Sequence, residues 1–190
     1  MLGVESQIYA PARAAEVVDF WFGESGSDQW FGGGAAFDRQ VAQRLGPWHA
    51  QACAGACDAW RSGPQGCLAL ILLFDQVPRH LYRGEARAFQ WDPAARKLCN
   101  AVLAQGFDRA LDPAARLFVY LPLEHSESLS DQERAVALIA GLGNENWSDY
   151  ARRHRDIIAR FGRFPHRNAA LGRASTAAER AFLTEPRSAF

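Results

Sequence analysis

Residues 67–78 read Cys67-Leu68-Ala69-Leu70-Ile71-Leu72-Leu73-Phe74-Asp75-Gln76-Val77-Pro78. The apolar run from Cys67 to Phe74 shows neither the alternation of a half-buried strand nor the stripe of a surface helix, so it belongs in a core as a buried strand or a buried helix. The rest of the chain settles which. Strand patterns are nearly absent elsewhere, and a lone strand has no partner for its backbone groups. The run therefore reads as a buried helix that ends near Val77-Pro78, where proline removes a backbone donor.

Outward from that helix, apolar residues recur three and four positions apart. A first helix follows Pro11, carries Ala14, Val17, Val18 and Trp21 on one face and stops at Gly23. After a Gly32-Gly33-Gly34 loop, a second carries Phe37, Val41 and Leu45; beyond Gly46-Pro47 a third carries Trp48, Ala52, Ala56 and Trp60 up to Gly63-Pro64. Asp92-Pro93 and Asp112-Pro113 each place an N-cap carboxylate before a first-turn proline. Ser130-x-x-Glu133 and Thr176-x-x-Glu179 read as capping boxes that open two later helices. Between them Tyr150, His154, Ile157, Ile158 and Phe161 line a helix closed by Gly162. The expected fold is all-α, with eight to nine helices joined by short loops and hence antiparallel neighbours. The 190 residues suit a single domain over positions 1–190, its core running from about 13 to about 185.

Composition narrows the function classes. Hydrophobic residues make up 48% of the chain and aromatics 12%, enough for a packed core. Net charge is zero, so no global field draws the chain to nucleic acid or to a membrane surface, and neither is an expected partner. The first fifteen residues lack the apolar segment of a secretory signal. The longest uncharged stretch, Ser62 to Phe74, is shorter than the roughly 20 residues a bilayer needs, so the expected location is cytoplasmic. Cys53, Cys57, Cys67 and Cys99 read as reduced core residues. Cys53 and Cys57 stand one helical turn apart without a second pair at zinc-site spacing, so no metal is expected. Phosphate-loop, dinucleotide and nucleophile-elbow motifs are absent, and no cofactor is expected.

Arginine abundance carries no weight in itself: twenty Arg stand against the single Lys97, a skew that a GC-rich genome produces. Clustering does carry weight. Seven Arg and one Asp fall between Arg152 and Arg173, and within this stretch Arg163, His166, Arg167 and Asn168 alternate with Phe161, Phe164, Pro165 and Leu171. A rigid apolar turn of this kind holds guanidinium forks in place for a carboxylate or phosphate. Upstream lie Glu124, Glu127, Asp131, Glu133, Glu145 and Asp149, so an internal ion-pair network competes with ligand capture as the explanation. His125 followed by Glu127 is the best acid/base pair by sequence, with a structural loop histidine as its alternative. This His-x-Glu lacks the downstream Pro-Cys-x-x-Cys of zinc deaminases. A second polar turn, Asp75-Gln76-Val77-Pro78-Arg79-His80-Leu81-Tyr82-Arg83, offers two more guanidiniums, or an Asp75 to Arg79 pair that merely ties helix ends. His154, on an apolar helix face, reads as a satisfied core residue.

Val18-Asp19-Phe20-Trp21-Phe22-Gly23, Leu68 to Arg79, His125-Ser126-Glu127 with Asp131-Gln132, and Phe161 through Gly172 (F-G-R-F-P-H-R-N-A-A-L-G) together resemble the bacterial "domain of unknown function 924" family. The resemblance spans roughly Arg13 to Glu185 and implies an all-helical, tetratricopeptide-like fold. Carried over position by position, the family's polar residues fall on Asp75, Gln76, Arg79, Arg83, His125, Glu127, Arg163, His166, Arg167, Asn168 and Arg173. His80 stands where the resemblance leads one to expect Asn, Val77 where it leads one to expect an aromatic, and Glu124 lies outside the pattern. The sequence supports two functions. One is a cleft between helices that binds a small anionic metabolite through Arg79, Arg83, Arg163 and Arg167, with Asp75, Gln76, Asn168 and Arg173 in support and His125, Glu127 or His166 for proton chemistry. The other is a non-enzymatic adaptor that grips a peptide or protein in a helical groove. RNA binding through the Arg and Phe residues of the 160s is a distant third, because the rest of the chain is neutral.

Overall fold

The structure, a computed structural model, describes residues 5–186 and 188. Every regular element among the described residues is helical, as expected. The apolar run decides this as the sequence suggests: α4 (Pro64–Ile71) continues without a break through a π-helical turn (Leu72–Gln76) into α5 (Val77–Leu81), and every residue from Cys67 to Pro78 is buried. The helix does not end at Pro78. The Val77 N–H reaches back five residues to the Leu72 carbonyl, and this wider register carries the chain past a residue that lacks its own donor. Counting α4 and α5 once, nine helices lie among the described residues: α1 (Glu5–Asp19) with a π turn at Phe20–Glu24, α2 (Ser27–Gly32), α3 (Gly34–Cys53), α6 (Asp92–Gln105), α7 (Pro113–Glu124), α8 (Leu129–Ala140), α9 (Glu145–Phe161) and α10 (Ala177–Phe182). None is long and apolar enough to cross a membrane.

Several expected ends move. The first helix starts before Pro11, at Glu5, and runs past Gly23 because the Ser25 N–H and hydroxyl both bond the Phe20 carbonyl. Pro47 opens no helix but lies inside α3, and the expected glycine loop shrinks to Gly33. Asp112 caps α7 through the Ala115 N–H at 2.9 Å, whereas Asp92 leaves its cap for Arg79. α8 begins at Leu129, so Ser130 falls in its first turn and pairs with Ser128 rather than forming a box with Glu133. The second box forms: Thr176 N–H donates to Glu179 at 2.7 Å, and Glu179 N–H donates to Thr176 Oγ1 at 3.2 Å.

The chain divides into two compact units, residues 1–83 with 87–122, and residues 84–86 with 123–190. In the first, α4 packs on α1 and α6, and α3 on α5. Edge-to-face rings fill its interior: Trp21 and Trp30 both meet Phe118, with centroids 5.7 and 5.1 Å away. In the second, α9 folds back on α8, and Ile157, Ile158, Phe164 and Phe182 form a core with Phe161.

Gly66, in the first turn of α4, has the Trp60 carbonyl where a Cβ would stand, closer than any real side-chain contact; Gly23 has open space there and no left-handed backbone. Gly66→Ala is expected to lower stability by about 2 kcal/mol or more. Gly23→Ala should change it little or raise it slightly. Urea denaturation midpoints of the two variants check this contrast.

Candidate functional site

The residues singled out by sequence fall in both units. In the first, the π turn presents Asp75 and Gln76 at the centre of the buried helix. Asp75 is fully buried, accepts from Gln76 Nε2 at 2.5 Å, and offers both its carbonyl and its carboxylate to Arg79. Arg79 also holds Asp92 at 3.0 Å and lies over Phe89. Burial pulls the Arg79 guanidinium down, but Asp75 and Asp92 outweigh it and the group stays charged, above its ordinary value. Arg83 closes a two-pronged fork on Asp38 at 2.8 and 2.9 Å, and His80 Nδ1 meets the same carboxylate at 2.8 Å. These four side chains are thus engaged by acids of their own unit.

In the second unit, a left-handed Gly162 (φ 69°) closes α9 and turns the chain into the polar loop. Arg163 then forks onto Glu179 at 2.6 and 2.8 Å and donates to the Ala174 carbonyl. The Arg163 hydrogen bonds, with the Thr176 N–H, hold the Glu179 carboxyl down at about 2. Arg173 makes the matching fork on Glu127, at 2.8 and 2.9 Å, and also donates to the Phe164 carbonyl and to Asn168 Oδ1. Glu127 accepts in addition from the Phe164 N–H at 2.8 Å. Burial pushes the Glu127 carboxyl up, but Arg173 and that N–H outweigh it and the group lies below its ordinary value. Asn168, itself buried, links Arg173 to Ser175.

A different cluster forms around Phe164, whose ring is wholly buried. Arg167 stacks on it with Cζ 4.5 Å from the centroid, His154 meets it edge-on at 5.6 Å, and His166 lies 5.5 Å away. His125 stands 6.2 Å from His154. His154 Nδ1 is 2.8 Å from the Tyr150 carbonyl and 3.1 Å from Glu124 Oε1. Burial, then the neighbouring His125, holds this ring well below the usual imidazole range, against the pull of the Tyr150 carbonyl; Arg167 and His166 push the same way as His125. Behind it Gln132, fully buried, donates to the Glu124 and Ser126 carbonyls and fixes the turn that carries His125.

The sequence pairing of His125 with Glu127 is replaced by His154 with Glu124, because both Glu127 oxygens face Arg173 and the Phe164 N–H. Sequence reasoning assigned Glu179 to a helix cap only, took His154 for a solitary core residue and did not single out Asp38. Helix spacing alone cannot show that His125 and His166 come back to His154. All four cysteines are thiols, and burial lifts Cys53 to about 11. Among the described residues no group of three or more His, Cys, Asp or Glu side chains is placed to hold a metal ion.

Residues 17–187 match the profile of a family described as bacterial protein of unknown function (DUF924). A solved structure of a protein of unknown function from Agrobacterium tumefaciens is similar over 91% of this chain and 97% of its own, with 42% identity and a TM-score of 0.86. No curated protein matches the chain significantly.

The Glu179 fork makes a signed prediction. A carboxyl held below its ordinary value of about 4.3 stabilises the fold above that pH and loses the contribution as pH falls toward about 2. In Glu179→Gln the loss is already complete, so wild type and variant should differ most near neutrality and converge in acid. Urea midpoints measured at a series of pH values would show that convergence.

Proposed function

The chain belongs to the bacterial family of unknown function (DUF924), and on that premise we propose that it binds a small anionic metabolite, a carboxylate or a phosphate, at the cluster of Arg167, His125, His154 and His166. What carries the reading is the crowding of one guanidinium and three imidazoles about a single buried ring. Arg163 and Arg173 are each closed on a carboxylate. Around the Phe164 ring stand a guanidinium and three imidazoles, Arg167, His154 and His166 against it and His125 beside His154, close enough that His125, His166 and Arg167 all act on His154. Cationic and protonatable groups held in a crowd by a rigid apolar platform are preorganised for a negative guest. Glu127, Asn168 and Arg173 serve this site by fixing the loop, and the proton chemistry on a bound guest falls to the half-buried His125 and His166.

The test is a thermal-shift screen over sulfate, phosphate and small mono- and dicarboxylates. A ligand at about 100 times its dissociation constant adds roughly 2.7 kcal/mol of stability. Arg167→Lys keeps the charge and removes the planar fork, so it should fold and lose at least about tenfold in affinity for the best anion. Undiminished affinity in that variant, or no response to any anion, defeats the reading.

A further inference from the structure

The Asp38 carboxylate, near the start of α3, is shared by two side chains from the end of α5 and just beyond it. His80 Nδ1 lies 2.8 Å from Oδ1, and Arg83 forks onto both oxygens at 2.8 and 2.9 Å. A neutral imidazole so placed carries its proton on Nδ1, facing the carboxylate. The two partners of Asp38 stand in different settings. Only 7% of the His80 side chain is exposed, against 61% for Arg83. The His80 ring packs edge-on with Trp21 and Phe37, with centroids 5.8 and 5.2 Å away.

The groups that face this ring come from every element packed on it. Trp21, in the π turn after α1, and Phe37, on α3, do not titrate; Asp38 is acidic; Arg79 and Arg83 are guanidiniums, Arg79 itself held by Asp75 and Asp92. The Arg83 fork holds the Asp38 carboxyl below its ordinary value, so it stays ionised well into acid. An imidazolium would therefore share Asp38 with a guanidinium that already forks on it, between aromatic rings where little water reaches. Burial draws the ring below the usual imidazole range; Asp38 pulls against it, and Arg83 and Arg79 add to it.

We propose that Asp38, His80 and Arg83 form an acid-sensitive clasp between α3 and α5, closed when His80 is neutral and opened when the ring takes a proton and leaves Trp21 and Phe37 for water. The proton comes from solvent and binds Nε2, since Nδ1 already holds one. What the clasp secures is slight on its own: α5 has five residues, and its closing bond runs from the Tyr82 N–H to the Pro78 carbonyl at 2.9 Å. Linkage sets the sign. Above the ordinary imidazole value of about 6.5 the closed and open forms hold the same proton count. Below it the open form binds more protons, and the balance shifts toward opening by up to about tenfold per unit fall in pH until the closed ring itself titrates.

The experiment is NMR on the full chain between about pH 7.5 and about pH 5, following the His80 ring nitrogens and the exchange of the Tyr82 N–H, corrected for the intrinsic pH dependence of exchange. In wild type the neutral ring should show the Nδ1–H form, its midpoint should lie below about 6.5, and Tyr82 protection should fall as the pH drops below that value. His80→Asn keeps a side-chain donor near Asp38 but takes no proton, so its Tyr82 protection should not fall with the wild-type profile. Arg83→Gln removes the competing guanidinium, so the His80 midpoint should rise. The proposal is overturned if His80 titrates at or above about 6.5, if Tyr82 protection ignores the pH over this range, if His80→Asn loses protection as wild type does, or if Arg83→Gln leaves the midpoint unmoved. Should the variants fail to fold, the wild-type titration and exchange profiles decide by the first two criteria.

Discussion

One carboxylate holds the second unit in register. Glu127 lies just past the end of α7, yet its oxygens accept from residues 37 and 46 positions further along, the Phe164 N–H and the Arg173 fork. A two-pronged charge-assisted pair fixes direction as well as distance. The third bond satisfies a backbone donor that the turn at Gly162 and Arg163 leaves outside any helix ladder. Without Glu127, Phe164 would keep its apolar reason to be buried but lose the bond that sets its position. Arg167, His154 and His166 all take their places from that ring. The arrangement of the loop therefore depends on an interaction between two residues that do not themselves touch the Phe164 ring face.

The same division of labour explains how much could be read from the residues alone. The all-α class was legible because it rests on local signals: the apolar run at 67–74, the absence of alternation, Asp112 before Pro113, and the reciprocal Thr176 and Glu179 cap. Where those signals failed, a longer-range partner had won. Asp92 has the sequence of an N-cap, but Arg79 offers it a full charge in a half-buried setting. Pro78 reads as a stop, but the π turn before it absorbs the missing donor, and it leaves Asp75 and Gln76 at a widened point of the helix.

The candidate site was legible as a set of residue types and not as a set of pairs. The Arg, His and carboxylate content of residues 124–173 is plain in the sequence, and so is its interleaving with Phe161, Phe164 and Pro165. Which acid meets which base depends on how Gly162 and the turn at Pro165 to Arg167 direct the loop, and neither spacing nor composition encodes those angles. His154 shows the cost of pairing by proximity in the chain. On its helix it has only apolar neighbours at the buried face, whereas in space it joins two histidines and an arginine.

Ion pairs and the imidazole cluster make opposite demands on stability. The Arg163 to Glu179 and Arg173 to Glu127 forks hold carboxyls below their ordinary values, so they support the fold at neutral pH and weaken only in acid. His154 works against the fold from a higher pH. A buried imidazole held well below its usual range of about 6.5 binds fewer protons folded than unfolded, and stability falls as pH drops below that value. A fold selected for stability alone would replace that ring by an apolar side chain of similar volume, which satisfies the surrounding core without asking for a proton. Instead the chain keeps His154 and surrounds it with His125, His166 and Arg167, which deepen the penalty. We read that standing penalty as the counterpart of the anion binding proposed for this cluster.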